Sequence, residues 1–243
     1  MFRHKGKNRQ AIHNLQLASL LSFVAGIVNV MGFLAVTVLT TNVTGHFAYF
    51  ADNILRRNFS GAWVFLTYIL CYLAGAFVSN TILETGYRLA PRHAQTIPVF
   101  AEILLLSTIA FPGFDTIHQA ATATACILLF AMGLQNAMVT RISNAVVRTT
   151  HLTGLFTDLG IDISQLLFYS RSVVRKQLIT SVILRLSIIV FFFLGCIVGG
   201  VGYSYYHNKV LILAIVCLAI GAVYSTLRYH IVIAHKIRSR RSA

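Results

Sequence analysis

The sequence predicts an all-α membrane protein with six transmembrane helices and two short helices, broken and re-entrant or interfacial, built as a 3+3 inverted repeat. Composition, the spacing of the apolar runs and a motif that occurs twice lead there. Of the 243 residues, 57% are hydrophobic and only 11% are charged, and the mean hydropathy is +0.75. A soluble domain carries about 25% charged residues. Six acidic residues cannot cover a water-soluble globule of 26.9 kDa. A large soluble enzyme, a disordered chain and a disulfide-rich secreted module are therefore excluded.

The spans follow from length, because a helix needs about 20 apolar residues to cross a hydrocarbon core of ~30 Å. Six stretches meet this, at approximately 15–37, 61–83, 96–112, 118–140, 177–200 and 209–234. The first is too long for the apolar run of a cleavable signal peptide, and other spans follow it. The third is the shortest. Pro98 stands in its first turn, where a missing N–H costs little, and Pro112 and Gly113 end it. Asp115 and Thr116 are expected in a tight turn before the fourth span.

Residues 38–60 and 141–176 fit neither a full span nor a solvated loop. Each has room for a short helix, at about 46–56 and about 153–169. Two forms are open for these: an amphipathic helix lying at the interface, or a broken segment dipping toward the bilayer centre.

The net charge of +14 would suggest nucleic acid if it formed a soluble patch. Instead the Lys and Arg residues cluster at the two ends and between apolar runs, where they set orientation and attract anionic headgroups; no nucleic-acid partner is expected. With the N-terminus in the cytoplasm, the inner segments hold fifteen cations: Arg3, Lys5, Lys7, Arg9, Arg88, Arg92, Arg141, Arg148, Arg171, Arg175, Lys176, Lys236, Arg238, Arg240 and Arg241. The outer segments hold three, Arg56, Arg57 and Lys209, while Arg185 and Arg228 fall within spans. The bias places both termini in the cytoplasm.

The two odd segments resemble each other. Thr41-Asn42-Val43-Thr44-Gly45-His46-Phe47 and Thr150-His151-Leu152-Thr153-Gly154-Leu155-Phe156 share T-x-[VL]-T-G-x-F at a spacing of 109 residues. Upstream, Gly26-Ile27-Val28-Asn29-Val30 matches Gly133-Leu134-Gln135-Asn136-Ala137 at a spacing of 107. The repeat unit is span, short helix, span, span. Three spans per unit is odd, so the second copy enters the membrane from the opposite side, as in transporters whose sites lie at the repeat interface. The division is a basic segment 1–14, a first repeat 15–117, a second repeat 118–234 and a basic tail 235–243.

These motifs carry a resemblance over most of the chain. A-G-I-V-N at 25–29, T-N-V-T-G-H at 41–46, M-G-L-Q-N-A at 132–137 and T-T-H-L-T-G at 149–154 resemble the YoaK-type family, multipass bacterial inner-membrane proteins classed as a domain of unknown function. The resemblance implies six or so helices and an inner-membrane location, and names no substrate. In that family the position of Asn29 is commonly Asp and that of His46 commonly Asn. The neutral amide at Asn29 argues against proton or cation coupling through this position.

The candidate solute site comprises Asn29, Thr41, Asn42, Thr44 and Gly45 in one half and Gln135, Asn136, Thr150, His151, Thr153 and Gly154 in the other. Gly tolerates a sharp turn, Thr and Asn satisfy backbone groups freed by broken helix, and N–H groups at a helix start favour an anionic or carbonyl-bearing ligand. The plainer reading of T-x-x-T-G is an N-cap.

Two intramembrane charges stand out, Glu102 and Arg185. Such groups are costly and functional by default, and a buried Glu102–Arg185 pair is expected; otherwise Arg185 snorkels to the headgroups. Asp158 and Asp162 share a helix face, with His151 seven residues before Asp158. The spacing is no recognised metal signature, and complementing the helix start or pairing with Arg148 and Arg171 serves as well. Neither HExxH nor GxSxG occurs. The cysteines, at 71, 126, 196 and 217, lack CxxC spacing and read as apolar packing residues. No metal and no cofactor is expected. Gly195/Gly199, Ser22/Gly26 and Gly75/Ser79 form small-xxx-small pairs suited to close helix packing.

The function expected is a transporter or channel for a small polar or anionic solute, not an enzyme, with the bilayer and the solute as partners and homo-oligomerisation left open. The alternatives are an intramembrane enzyme using His151, Asp158 and Asp162 on a membrane-dissolved substrate, which needs an open cavity, and a non-catalytic scaffold, which needs a densely packed centre.

Overall fold

The computed structural model describes residues 11–89, 94–169 and 172–225. The basic ends 1–10 and 235–243, the end of the expected sixth span, and Arg92, Arg171 and Arg228 lie outside the described residues. The described chain is all helix and turn, without a strand.

Helices run α1 (Ala11–Val36), α2 (Val43–Leu55), α3 (Phe59–Leu89), α4 (Ile97–Ala110), α5 (Phe114–Gln119), α6 (Ala121–Ser143), α7 (Leu152–Phe168) and α8 (Ser172–Tyr206). A 3-10 helix at His207–Val210 follows, and then α9 over 211–225. Among the described residues four segments are long and apolar enough to cross a membrane: Asn14–Val36, Phe59–Leu89, Ala121–Ser143 and Val173–Ser225. The last has 53 residues, about 80 Å if straight, but it is not straight. His207 has a positive φ of 50°, and Gly202 lies against the Val210 side chain, so the chain folds back between α8 and α9. α4 is apolar but only 14 residues long, about 21 Å.

The α1 and α8 helices pack along each other, and so do α3 and α6; α1 meets α6, and α4 lies against α6. Close approach has a steric cause. A methyl group on Gly26 would strike the Phe192 carbonyl oxygen, and one on Gly195 that of Phe23; on Gly75 it would strike that of Phe130, and on Gly133 that of Tyr72. The buried cluster runs from Leu17, Leu21 and Met31 of α1 through Leu128, Met132 and Met138 of α6 to Leu211 and Leu218 of α9. Outside, Trp63, Leu73 and Phe77 of α3 and Phe193 of α8 are exposed. So wide an apolar exterior suits lipid and not water.

The short helices take the places the sequence indicates, each starting earlier than expected. α2 packs on α3 and α7 on α8. Asp115 and Thr116 differ from expectation. They lie inside α5, because Gly113, Asp115 and the following residues complete a short turn of helix rather than a tight reversal. Asn208 then ties this end of the molecule together. It is buried, and its side-chain amide donates to the carbonyls of Ile109 (2.8 Å), Ala110 (3.2 Å) and Pro112 (2.9 Å) at the end of α4.

Candidate functional site

The two T-G segments face one cleft of about 1240 Å³. Asn29, Thr41, Asn42, Thr44 and Gly45 line it from the first half, and Asn136, Thr150, His151 and Thr153 from the second. Gln135 and Gly154 do not. Gln135 is fully buried and donates to the Leu21 carbonyl (3.0 Å) and the Thr149 hydroxyl (3.4 Å). It therefore braces α6 against α1. Gly154 lines a second cleft instead, of about 920 Å³.

In the first half, Asn29 on α1 fixes the start of the broken segment. Its side-chain oxygen accepts from the Thr41 backbone N–H (3.2 Å) and from the Thr41 hydroxyl (2.9 Å). Asn42 is the cap of α2, accepting from Gly45 N–H at 2.9 Å, which satisfies one of the free donors of a helix start. The cap is thus Asn42 and not a threonine of the motif, and His151, which stands in the same place before α7, makes no side-chain cap hydrogen bond. Thr44 and Thr153 stand one residue inside their helices. α2 is held on α3 by a ring cluster: His46 stacks near Phe65 and meets Tyr68 edge-on, and Tyr49 stacks on Phe65 at 5.1 Å. The His46 imidazole Nε2 also hydrogen-bonds the Leu39 carbonyl at 3.0 Å.

In the second half a tyrosine does the joining. The Asn136 amide donates to the Tyr72 hydroxyl (3.0 Å), which lies 3.3 Å from the Thr150 hydroxyl. The Asn136 side-chain oxygen is buried with no partner, and the residue lines the cleft. Nothing in the sequence marks Tyr72, since a lone tyrosine in an apolar span looks like any packing aromatic. Arg148 was missed as a site residue for another reason, being counted as an orientation charge. It lines both clefts, as does His151.

The expected Glu102–Arg185 pair does not form. Arg185 pairs with Asp162 and, at 3.4 Å, with Asp158 on α7, and donates to the Ser181 hydroxyl at 2.6 Å. The geometry is local: α7 packs on α8, so the carboxylates one turn apart on α7 reach Arg185 first. They meet neither Arg148 nor a metal cluster; no grouping of three metal-type side chains occurs among the described residues. Glu102 is fully buried in α4 and neither carboxyl oxygen has a hydrogen-bond partner.

With this geometry in place, comparison with known proteins fixes the family. The model of a protein family of unknown function, DUF1275, matches residues 17–224. The chain belongs to this family. It is also 25% identical over 199 residues to the UPF0700 transmembrane protein YoaK of Bacillus subtilis (strain 168), covering 81% of this chain and 88% of that one. No solved structure matches. The chain is thus an all-α membrane protein of the DUF1275 family, and the matched region takes in both T-G segments and both lines of close helix packing.

Proposed function

We propose that this DUF1275 member is a transporter or channel for a small polar or anionic solute, bound at the interface of two inverted three-span repeats. The carrying observation is that two segments 109 residues apart in sequence, Thr41–Phe47 and Thr150–Phe156, open onto one cleft. Exchanging α1 with α6, α2 with α7 and α3 with α8 converts the α1–α8 packing into α6–α3, and α2 on α3 into α7 on α8. The glycines obey the same exchange. Gly26 and Gly133 are 107 apart, as are Phe23 and Phe130, while Gly75 and Gly195 are 120 apart, as are Tyr72 and Phe192. Every member of one glycine–carbonyl set has its counterpart in the other. On this reading α4 and α9 belong to the two remaining spans, and the charge bias supports an orientation with both termini in the cytoplasm.

A cleft that both T-G segments line weighs against a scaffold with a dense core. The enzyme reading loses two of its groups, since Asp158 and Asp162 are engaged by Arg185. The Thr44 and Thr153 hydroxyls and the Asn136 oxygen supply hydrogen bonds to a solute that need no backbone to be unmade. In proteoliposomes assayed with radiolabelled phosphate, sulfate, lactate and mannitol, the wild type is expected to take up at least one. Thr44→Val/Thr153→Val is expected to abolish that uptake while leaving the thermal midpoint unchanged. Undiminished uptake by the double variant would remove these residues from the site.

A further inference from the structure

We propose that the solute is a small oxyanion and that Arg148 is the side chain that recognises its charge. This rests on the reading of the cleft as a solute site and goes further by fixing the sign of the ligand. Among the described residues that line this cleft there is no Asp or Glu, and the one Lys or Arg is Arg148. The polar remainder is made of neutral groups such as Asn42, Thr44, Asn136 and Thr153. A solute cation would find no counter-charge there, and Asn29 offers an amide where a carboxylate would serve it.

Three other arginines among the described residues are already paired. Arg56 pairs with Asp52, Arg141 with Glu84, and Arg185 with Asp158 and Asp162. Among the described residues no ion pair engages Arg148. Arg148 also stands where the central cleft and the second cleft meet, for it lines both. In the second cleft Arg185 is held between Asp158 and Asp162, so of the two arginines that line that cleft Arg148 is the one without an ion pair among the described residues. A guanidinium presents a planar fork of donors matched to carboxylate, phosphate or sulfate. Its field is stronger beside low-dielectric walls than in open water. The Thr44 and Thr153 hydroxyls and the side-chain N–H groups of Asn42, whose oxygen is taken by Gly45, can donate to the remaining oxygens, while the free Asn136 oxygen, an acceptor, can meet only a hydroxyl of the ligand.

The test uses the purified full chain, with Arg148→Gln, Arg148→Lys and Thr153→Val, in thermal-stability titrations at fixed ionic strength with sodium phosphate, sulfate, lactate and uncharged mannitol. At least one oxyanion is expected to stabilise the wild type saturably. Its apparent Kd should rise about tenfold to a hundredfold in Arg148→Gln, the size of a lost hydrogen bond to a charged group. Arg148→Lys should fall between, since it keeps the charge and loses the fork. Saturable mannitol binding that Thr153→Val weakens and Arg148→Gln does not would overturn the oxyanion while sparing the solute site. Oxyanion binding that Arg148→Gln leaves unchanged would overturn the role of Arg148. Oxyanion binding lost in Arg148→Gln but untouched in Thr153→Val would keep Arg148 and remove the T-G cleft as the site. No saturable response to any of the four would overturn the proposal.

Discussion

Single side chains hold the irregular parts of this molecule, and Asn208 does so most economically. The last carbonyls of a helix have no intrahelical partner, and in a membrane protein an unpaired buried carbonyl is expensive. One amide answers two of them, at Ile109 and Ala110, and the Pro112 carbonyl just beyond α4. Asn208→Ala should therefore cost about 1–3 kcal/mol, the penalty for leaving buried polar groups unsatisfied, read as a lower unfolding midpoint in a detergent melt. An unchanged midpoint would mean that water replaces the amide. Asn29, Thr41 and Thr150 were legible at this scale because amides and hydroxyls beside a repeated T-G stand out against an apolar chain. Tyr72 and Asn208 were not. Their partners lie 64 and 96 or more positions away, and no local pattern marks a long-range hydrogen bond. Arg148 was visible as a charge but not as a site residue, because a count of cations cannot tell which are paired.

Elements meet through backbone contact where glycine permits it. Gly75 on α3 and Gly195 on α8 each face a carbonyl oxygen of the neighbouring helix, so the small-xxx-small pairs in the sequence pack as expected. Gly160, inside α7, has nothing within 4 Å of where a Cβ would stand. The contrast gives a paired prediction. Gly75→Val and Gly195→Val should lower the unfolding midpoint sharply by prising α3 from α6 and α8 from α1. Gly160→Ala should leave it unchanged or raise it, Ala being favoured over Gly in a helix by roughly 0.5–1 kcal/mol. Equal effects from all three would dissociate these glycines from helix packing. Helix positions were readable because apolar runs of span length leave few alternatives. α5 was not, since six residues ending a Pro-Gly break carry no periodic signal. The partner of Arg185 was misread because its depth in a span was legible but the docking of α7 beside it was not.

At the scale of the whole molecule the two short helices are fastened by unlike chemistry. α2 is fastened to α3 by the rings of His46, Tyr49, Phe65 and Tyr68, and α7 to α8 by the ions of Arg185, Asp158 and Asp162. Between them, both T-G segments border one cleft. The central claim is that this cleft is a watery path for solute and not a lipid-filled groove. Its most direct test is thiol labelling of Thr44→Cys and Thr153→Cys, each in a chain whose Cys71, Cys126, Cys196 and Cys217 are replaced by Ala, in proteoliposomes with a membrane-impermeant maleimide. The account predicts that both positions react, and that modification of either stops uptake of whichever of phosphate, sulfate, lactate or mannitol the wild type carries. Two inert cysteines, or full uptake after complete labelling, would contradict it.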